Sequence, residues 1–293
     1  MHKRKAIIFG VNGQDGFYLS KLLAEEQIEV IGVSRSGDFL RIDITDYLQI
    51  IALIKKEIPD YIFHLAANST TRHDALFENH QTIATGTLNI LEAVKNFSPQ
   101  TKVFISGSGL QFKNENKPIK ETDPFEARDA YSISRIQSVY AARYFRNLGI
   151  QTYVGYFFNH DSPLRSERHV AKKISAAAKR IGAGSFEKLE IGDTSVIKEW
   201  TFAGDVVNGI WQFVNQDDIF EANISSGLGY SIHQWIEACF KIIDKKPADY
   251  LITTNNFKPE YKQLVSDASI IQSIGFQPLT SFTDLAKMMV END

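Results

Sequence analysis

The 293-residue chain holds one cysteine, Cys239, inside the apolar run "WIEACF". That excludes a disulfide framework and a cysteine metal site, and it suits a reducing compartment. There is no excess of basic charge. The net charge of −3 leaves no general field for a nucleic-acid backbone, so an anionic partner has to be held by local lysines and arginines, which points to a small ligand. Long apolar runs are missing too. The opening "MHKRKAIIFG" reaches a glycine after only a few apolar residues, too soon for a signal peptide or a membrane span, so a cytoplasmic protein without membrane contact is expected. The seven histidines show no H-x-x-x-H spacing, which argues against a metal hydrolase. "SGSGL" lacks the G-x-S-x-G elbow of serine hydrolases. Internal repeats and low-complexity tracts are absent.

What is present is alternation. The segments "KAIIFG", "GFYLSKLLAEEQ", "EVIGVSR", "YLQIIALIKKEI", "YIFHLAA", "TLNILEAVKNF" and "TKVFISGS" alternate short β-branched runs with helical periodicity, and "GIQTYVGYFFN" reads as a further strand. Strand and helix in that order predict an α/β protein with a Rossmann-type, doubly wound parallel sheet. The 43% apolar content is enough for a large core. Past Asn159 the pattern turns polar and charge-dense, then resumes at "FAGDVVNGIWQFVNQ". The expected organisation is a nucleotide-binding domain over 1–157, completed by parts of about 200–225, and a smaller, partly discontinuous substrate lobe over 158–293.

"IIFGVNGQDGFYL" places Gly10, Gly13 and Gly16 between a strand and a helix. Glycines there permit a tight turn, backbone approach to a phosphate and close helix packing, while the helix N-terminus favours negative charge. The second strand ends in "VSRSGDF", with Arg35 and no acidic residue where an adenosine ribose is usually gripped, which favours NADP and leaves NAD open. Asp43 is read as an adenine contact or as the cap of the following helix. In "DAYSISRIQSVY", Tyr131 and Arg135 lie four residues apart on one helix face, where a phenol that moves protons wants a cation. Lys172, Lys173, Lys179 and Arg180 read as the solvated basic face of a helix.

Together these motifs resemble the extended short-chain dehydrogenase/reductase family, and within it the GDP-mannose 4,6-dehydratases and their 4-keto-sugar reductase relatives. "GVNGQDGFYL" is similar to the subgroup's G-x-x-G-Q-D-G loop, which adds Asn12, Gln14 and Asp15 as cofactor contacts, and "FHLAANS" adds Leu65, Ala66 and Ala67. "VFISGS" resembles the strand ending in the catalytic hydroxyl, here Ser108, and "YSISR" stands where the family has Y-x-x-x-K. "YFFNHDSPLRSERHVAKKI" and "KEWTFAGDVVNGIW" resemble two further subgroup segments. The resemblance implies that Asn159 and Lys173 hold a nucleotide-sugar pyrophosphate, with Lys198 and Lys258 where the subgroup tends to place arginines. It also implies a homodimer or homotetramer. The departures matter: Arg135 replaces the lysine, Ile83 a polar residue beside it, Phe112 a tyrosine, and Leu110 the glutamate that handles the proton at C5. The expectation is a C4 oxidoreductase acting on a nucleotide-activated, GDP-linked hexose, as a 4-keto-sugar reductase. The alternatives are a dehydratase or epimerase with a rebuilt acid/base pair, drawing on His160, Asp161 or Glu167, and a catalytically silent cofactor binder. His64 and His73 are weighed as further bases, with His64 favoured as a structural strand end.

Overall fold

A computed structural model describes residues 3–254 and 259–292. The first half runs β1 (Lys5–Phe9), α1 (Gln14–Glu25), β2 (Glu29–Val33), α2 (Tyr47–Glu57), β3 (Tyr61–His64), α3 (Leu76–Asn79), α4 (Gly86–Phe97), β4 (Lys102–Ser108), α5 (Ala130–Asn147) and β5 (Thr152–Phe157). The second half runs β6 (His160–Asp161), α6 (Val170–Gly182), β7 (Leu189–Ile191), β8 (Ile197–Glu199), β9 (Thr201–Phe202), α7 (Ala203–Val214), β10 (Glu221–Ile224), β11 (Gly229–Ser231), α8 (Ile232–Ile242), β12 (Leu251–Thr253), β13 (Gln263–Leu264), α9 (Ser269–Ser273) and α10 (Phe282–Glu291). Among the described residues no helix is long and apolar enough to cross a membrane.

The main sheet has the order β10-β5-β4-β3-β1-β2, with every pairing parallel. Its inner strands bury both faces, so "AIIF", "YIFH" and "VFISGS" are continuously buried rather than alternating. The first crossover sets β2 on one side of β1, and the next carries the chain back past β1 to β3 on its other side. The crevice beyond the carboxyl ends of β1 and β3 is therefore the switch point where ligands bind in such sheets. The sixth strand, β10, is contributed by the second half and pairs with β5 from Glu221↔Val154 to Ile224↔Phe157.

Local chemistry sets the helix starts near that crevice. The Asp46 carboxylate caps α2 by accepting from the backbone N–H groups of Leu48 and Gln49, so the cap is Asp46 and not Asp43. Asp129 caps α5 in the same way through Tyr131 and Ser132, with the Ser132 hydroxyl accepting from the Asp129 N–H in return. A π-helical stretch, His80–Thr85, joins α3 to α4 and lies against α5. Two apolar clusters fill the two faces of the sheet, and a third, around Trp200, Trp235, Phe240 and Met289, holds the second lobe together. In it the Trp200 and Trp235 rings stack at 4.6 Å, which adds about 1 kcal/mol beyond their burial.

Candidate active site

The glycine loop closes on itself tightly. Gly10 adopts φ +90°, and a Cβ there would lie 2.7 Å from the Ala66 nitrogen. A Cβ on Gly16 would lie 2.5 Å from the Gly10 carbonyl oxygen, so α1 approaches the turn only because residue 16 has no side chain. Beside this loop opens a cavity of about 640 Å³, walled by Gly10, Asn12, Gly13, Asp43, Leu65, Ala66 and Ala67 and by the charged side chains Arg35, Arg41 and Glu78. Its size, its glycine floor and the N-terminus of α1 fit the adenosine and pyrophosphate half of a dinucleotide. Arg41 and Glu78 escaped the sequence reading, because nothing in their spacing marks them. Arg35 donates twice to Glu78 Oε1, at 3.1 and 3.2 Å, while Asn68 donates to Oε2 at 2.9 Å. Those bonds, Asn68 first and then Arg35, hold the Glu78 carboxyl below its ordinary range.

Gln14 and Asp15 do not line this cavity. Both turn toward the chain that enters the second lobe: Ser162 Oγ donates to Gln14 Oε1 at 2.8 Å, and His160 Nε2 lies 2.9 Å from Asp15 Oδ1. His160 Nδ1 lies 2.8 Å from the Phe158 carbonyl, so both ring nitrogens are engaged and neither is open to a substrate proton.

Ser108, Tyr131 and Arg135, singled out in the sequence for proton chemistry, lie toward the carboxyl end of β4 and the start of α5. The Arg135 guanidinium is 3% exposed and donates to the carbonyl of Ser106 and, at 2.8 Å, to its hydroxyl. That pins α5 to β4. Tyr131 stands one turn earlier on the helix, about 6 Å along its axis, and Ser108 two residues further along the antiparallel-running strand, about 6.6 Å on. Both steps lead toward the crevice. The guanidinium carbon sits 5.0 Å from the Tyr131 ring centroid, so the cation faces the ring and bonds to the strand rather than to the phenolic oxygen. Among the described residues Arg135 forms no ion pair, which makes it a buried cation without a counter-anion. Ser108 Oγ accepts from the Leu110 N–H at 3.2 Å, and Gln111 Oε1 accepts from the Ser108 N–H at 2.9 Å. The Ser108 hydroxyl proton thus remains available. His64 is fully buried at the end of β3; burial first, and then the Arg135 charge, push its imidazole down to about 3, so it stays neutral.

The second lobe brings its own charges. Lys198, on β8, holds its ammonium 5.5 Å over the Tyr261 ring. Burial, then Arg165, then Arg168 and Lys198 hold the His169 imidazole down at about 4, against the opposing pull of Asp161. The charges of Arg165, itself paired with Asp161, and of Arg168 and Lys198 thus all bear on His169. Asn159 Oδ1 and Thr201 Oγ1 are buried without hydrogen-bond partners, on residues joined by the Thr201 N–H to Asn159 carbonyl bond of 3.4 Å. Lys173 donates from an exposed position to the Glu190 carbonyl at 2.7 Å, whereas its neighbour Lys172 is buried and reaches the Pro163 carbonyl. The expected fully solvated basic face of α6 is corrected on that point: the helix turns Lys172 inward among apolar neighbours. Glu167 is paired with Arg180, and Asp161 with Arg165. Lys258 lies outside the described residues. No group of three or more His, Cys, Asp or Glu side chains able to hold a metal gathers among the described residues.

Comparison with known proteins gives a consistent pattern. The sequence profile of the family described as GDP-mannose 4,6 dehydratase matches residues 7–289. GDP-mannose 4,6 dehydratase 2 of Arabidopsis thaliana is 30% identical over 324 aligned positions, spanning 99% of this chain and 87% of the relative. GDP-mannose 4,6-dehydratase of Vibrio cholerae is 30% identical over 266, spanning 80% and 71%. Among solved structures, RMD from Pseudomonas aeruginosa complexed with NADPH superposes with a TM-score of 0.87 at 20% identity over 98% and 97% of the two chains. dTDP-glucose 4,6-dehydratase from Bacillus anthracis, in complex with NAD, gives 0.86 at 16% over 98% and 96%. At those identities the structural likeness concerns the fold.

Proposed function

The chain belongs to the GDP-mannose 4,6 dehydratase family, and from that premise we propose that it is a nicotinamide-dependent enzyme working at C4 of a GDP-linked hexose. The observation that carries the reading is the convergence of Ser108 and Tyr131 at the carboxyl end of β4, with Arg135 pinned beneath them and the dinucleotide-sized cavity opening from the same edge of the sheet. Gly10, Gly13, Asn12 and Leu65–Ala67 would hold the dinucleotide. When bound, it accepts or returns a hydride at C4. Ser108 donates to the C4 oxygen and holds it in place, and Tyr131 takes or returns the hydroxyl proton. Arg135, held by the Ser106 carbonyl and hydroxyl, would supply a permanent positive charge against the Tyr131 ring. Lys198 and Arg168, with Arg165 paired to Asp161 beside them, would attract the pyrophosphate. NADP is the preferred dinucleotide, because two arginines, Arg35 and Arg41, line the cavity beyond the end of β2, where a 2′-phosphate would lie, alongside the carboxylates of Asp43 and Glu78. Ile133, Tyr140 and Tyr144, exposed along one side of α5, support self-association through that helix.

Two reactions share this C4 step. The names of the relatives favour 4,6-dehydration, in which oxidation at C4 is followed by loss of water across C5 and C6 and return of the hydride to C6 with a proton to C5. Reduction of a 4-keto sugar is the second reading, favoured by Leu110 and Gln111 beside Ser108, neither of which ionises at neutral pH, and by the engagement of both His160 nitrogens. Incubation with GDP-mannose and oxidised NADP, followed by mass analysis, tests the first: a 4-keto-6-deoxy product supports it. Consumption of NADPH on a GDP-linked 4-keto-6-deoxyhexose, without any product from GDP-mannose, supports the second. Absence of both reactions overturns the proposal.

A further inference from the structure

A ketone at C4 acidifies the proton on C5, but the proton leaves at a useful rate only if a base stands beside it. Leu110 has no proton chemistry, and Gln111 is fully buried with its carbonyl committed to the Ser108 N–H. The fold brings another group to this spot from the far end of the chain. A small cavity of about 20 Å³ lies against Leu110, walled also by Gly109, Arg128, Asp129, Glu260 and Tyr261. That is room for about one water-sized group. Gly109 directly follows Ser108, and Asp129 stands two residues before Tyr131, so the cavity is flanked by the two segments that carry the C4-handling hydroxyls. C5 is one bond from C4, so a hexose held through its C4 oxygen by these hydroxyls would carry C5 toward this wall.

The charged groups on this wall differ in availability. Asp129 is committed to the cap of α5, accepting from Tyr131 and Ser132, and Arg128 is paired with Glu126. Glu260 is exposed and makes no hydrogen bond or ion pair among the described residues. Both carboxylate oxygens can therefore accept. The aromatic ring of Tyr261 next to it packs with the apolar residues around Leu110, so this segment closes over the cavity from the second lobe.

We infer that Glu260 is the proton acceptor for C5, an assignment that rests on the C4 chemistry proposed above. The C5–H bond breaks, its electron pair forms the C4–C5 double bond of an enolate, the C4 oxygen takes the negative charge under Ser108 and Tyr131, and the proton passes to the Glu260 carboxylate. Return of a solvent-exchanged proton from Glu260 gives exchange, and protonation by solvent on the other face inverts C5; where C6 carries a hydroxyl, the enolate electrons re-form the C4 carbonyl and make a C5–C6 double bond while the hydroxyl leaves as water with the Glu260 proton. The carboxylate that the sequence around Ser108 lacks is thus supplied in space.

The test uses the full-length protein, a GDP-linked 4-keto-6-deoxyhexose in deuterium oxide, and loss of the H5 signal by NMR. Wild type is expected to incorporate deuterium at C5, Glu260→Gln to do so at least about 100-fold more slowly, the range of a general base. Glu260→Asp should retain part of the rate, and Glu260→Gln combined with Leu110→Glu should recover exchange by restoring a carboxylate at the same cavity. Exchange in Glu260→Gln at the wild-type rate overturns the assignment. So does a wild type that turns over the nicotinamide cofactor yet leaves C5 unlabelled, a result that keeps the C4 reading. A protein that turns over no nicotinamide on any nucleotide hexose overturns the C4 reading itself.

Discussion

Replacing Asp15 by Asn separates the electrostatics of the inter-lobe clasp from its shape. His160 Nδ1 faces the Phe158 carbonyl at 2.8 Å and Nε2 faces the Asp15 carboxylate at 2.9 Å. Both partners only accept, so both ring nitrogens carry protons and the ring is an imidazolium. Burial alone would raise the Asp15 carboxyl, but the His160 charge, its hydrogen bond and Arg165 outweigh burial and bring it from 3.8 down to about 2. For His160 burial works downward and Asp15 overcomes it, leaving the imidazole above its ordinary 6.5. The fall at Asp15 corresponds to roughly 2 kcal/mol of folding stability. The signs follow from the two directions. A depressed carboxyl contributes fully above 3.8 and loses its contribution as pH falls through about 2; a raised imidazole contributes fully below 6.5 and loses it as pH climbs through its folded-state value. Both describe one interaction, so the contributions are not added. Asp15→Asn is therefore expected to cost roughly 2 kcal/mol on a plateau from about pH 4 to pH 6.5 and less on either side. Urea unfolding of both proteins across that range measures it. A cost that does not vary with pH, or one below about 0.5 kcal/mol on the plateau, refutes the charged pair.

Other outcomes follow from the same geometry. Tyr131→Phe should lower substrate-dependent nicotinamide turnover by about 100-fold or more without a change in cofactor affinity, read by absorbance and by titration. Arg135→Met removes an uncompensated buried charge, so turnover should fall while the unfolding free energy holds or rises by about 1 kcal/mol or more; a loss beyond about 3 kcal/mol would mean that the Ser106 bonds outweigh the desolvation cost. Glu78→Gln frees Arg35 from an exposed ion pair worth at most about 1 kcal/mol, so the preference for NADP over NAD should rise by up to about fivefold in fluorescence titrations. Gly16→Ala pushes a methyl group against the Gly10 oxygen and the Val11 backbone, and should destabilise by about 1–3 kcal/mol in urea unfolding and weaken dinucleotide binding.

Much of the site is legible wherever the chemistry is local. The glycine loop, the strand ending in Ser108 and the helical spacing of Tyr131 and Arg135 each depend on residues within a few positions of one another. Where the reading fell short, the deciding partner is distant in sequence. Whether Lys172 or Lys173 is buried depends on which side of α6 meets the second lobe's core, and the periodicity of "HVAKKISAAAKRI" does not disclose that. The helical spacing puts Arg135 beside Tyr131 but does not disclose that its guanidinium donates to the carbonyl and hydroxyl of Ser106, a partner far away in sequence on β4. Asp43 resolves into a wall of the cavity only once Asp46 is seen holding the helix.

On its own, the order of residues determined the alternation of strand and helix, the parallel sheet and the loss of an ionisable group beside Ser108, since periodicity and side-chain chemistry are properties of short stretches. Tertiary structure alone decided that Arg41 joins Arg35 at one cavity, that His160 is closed to substrate by Asp15, and that Glu260 comes to stand at Leu110. Each of those depends on chain segments brought together by burial of the sheet faces and the lobe core, a long-range event that local spacing does not encode.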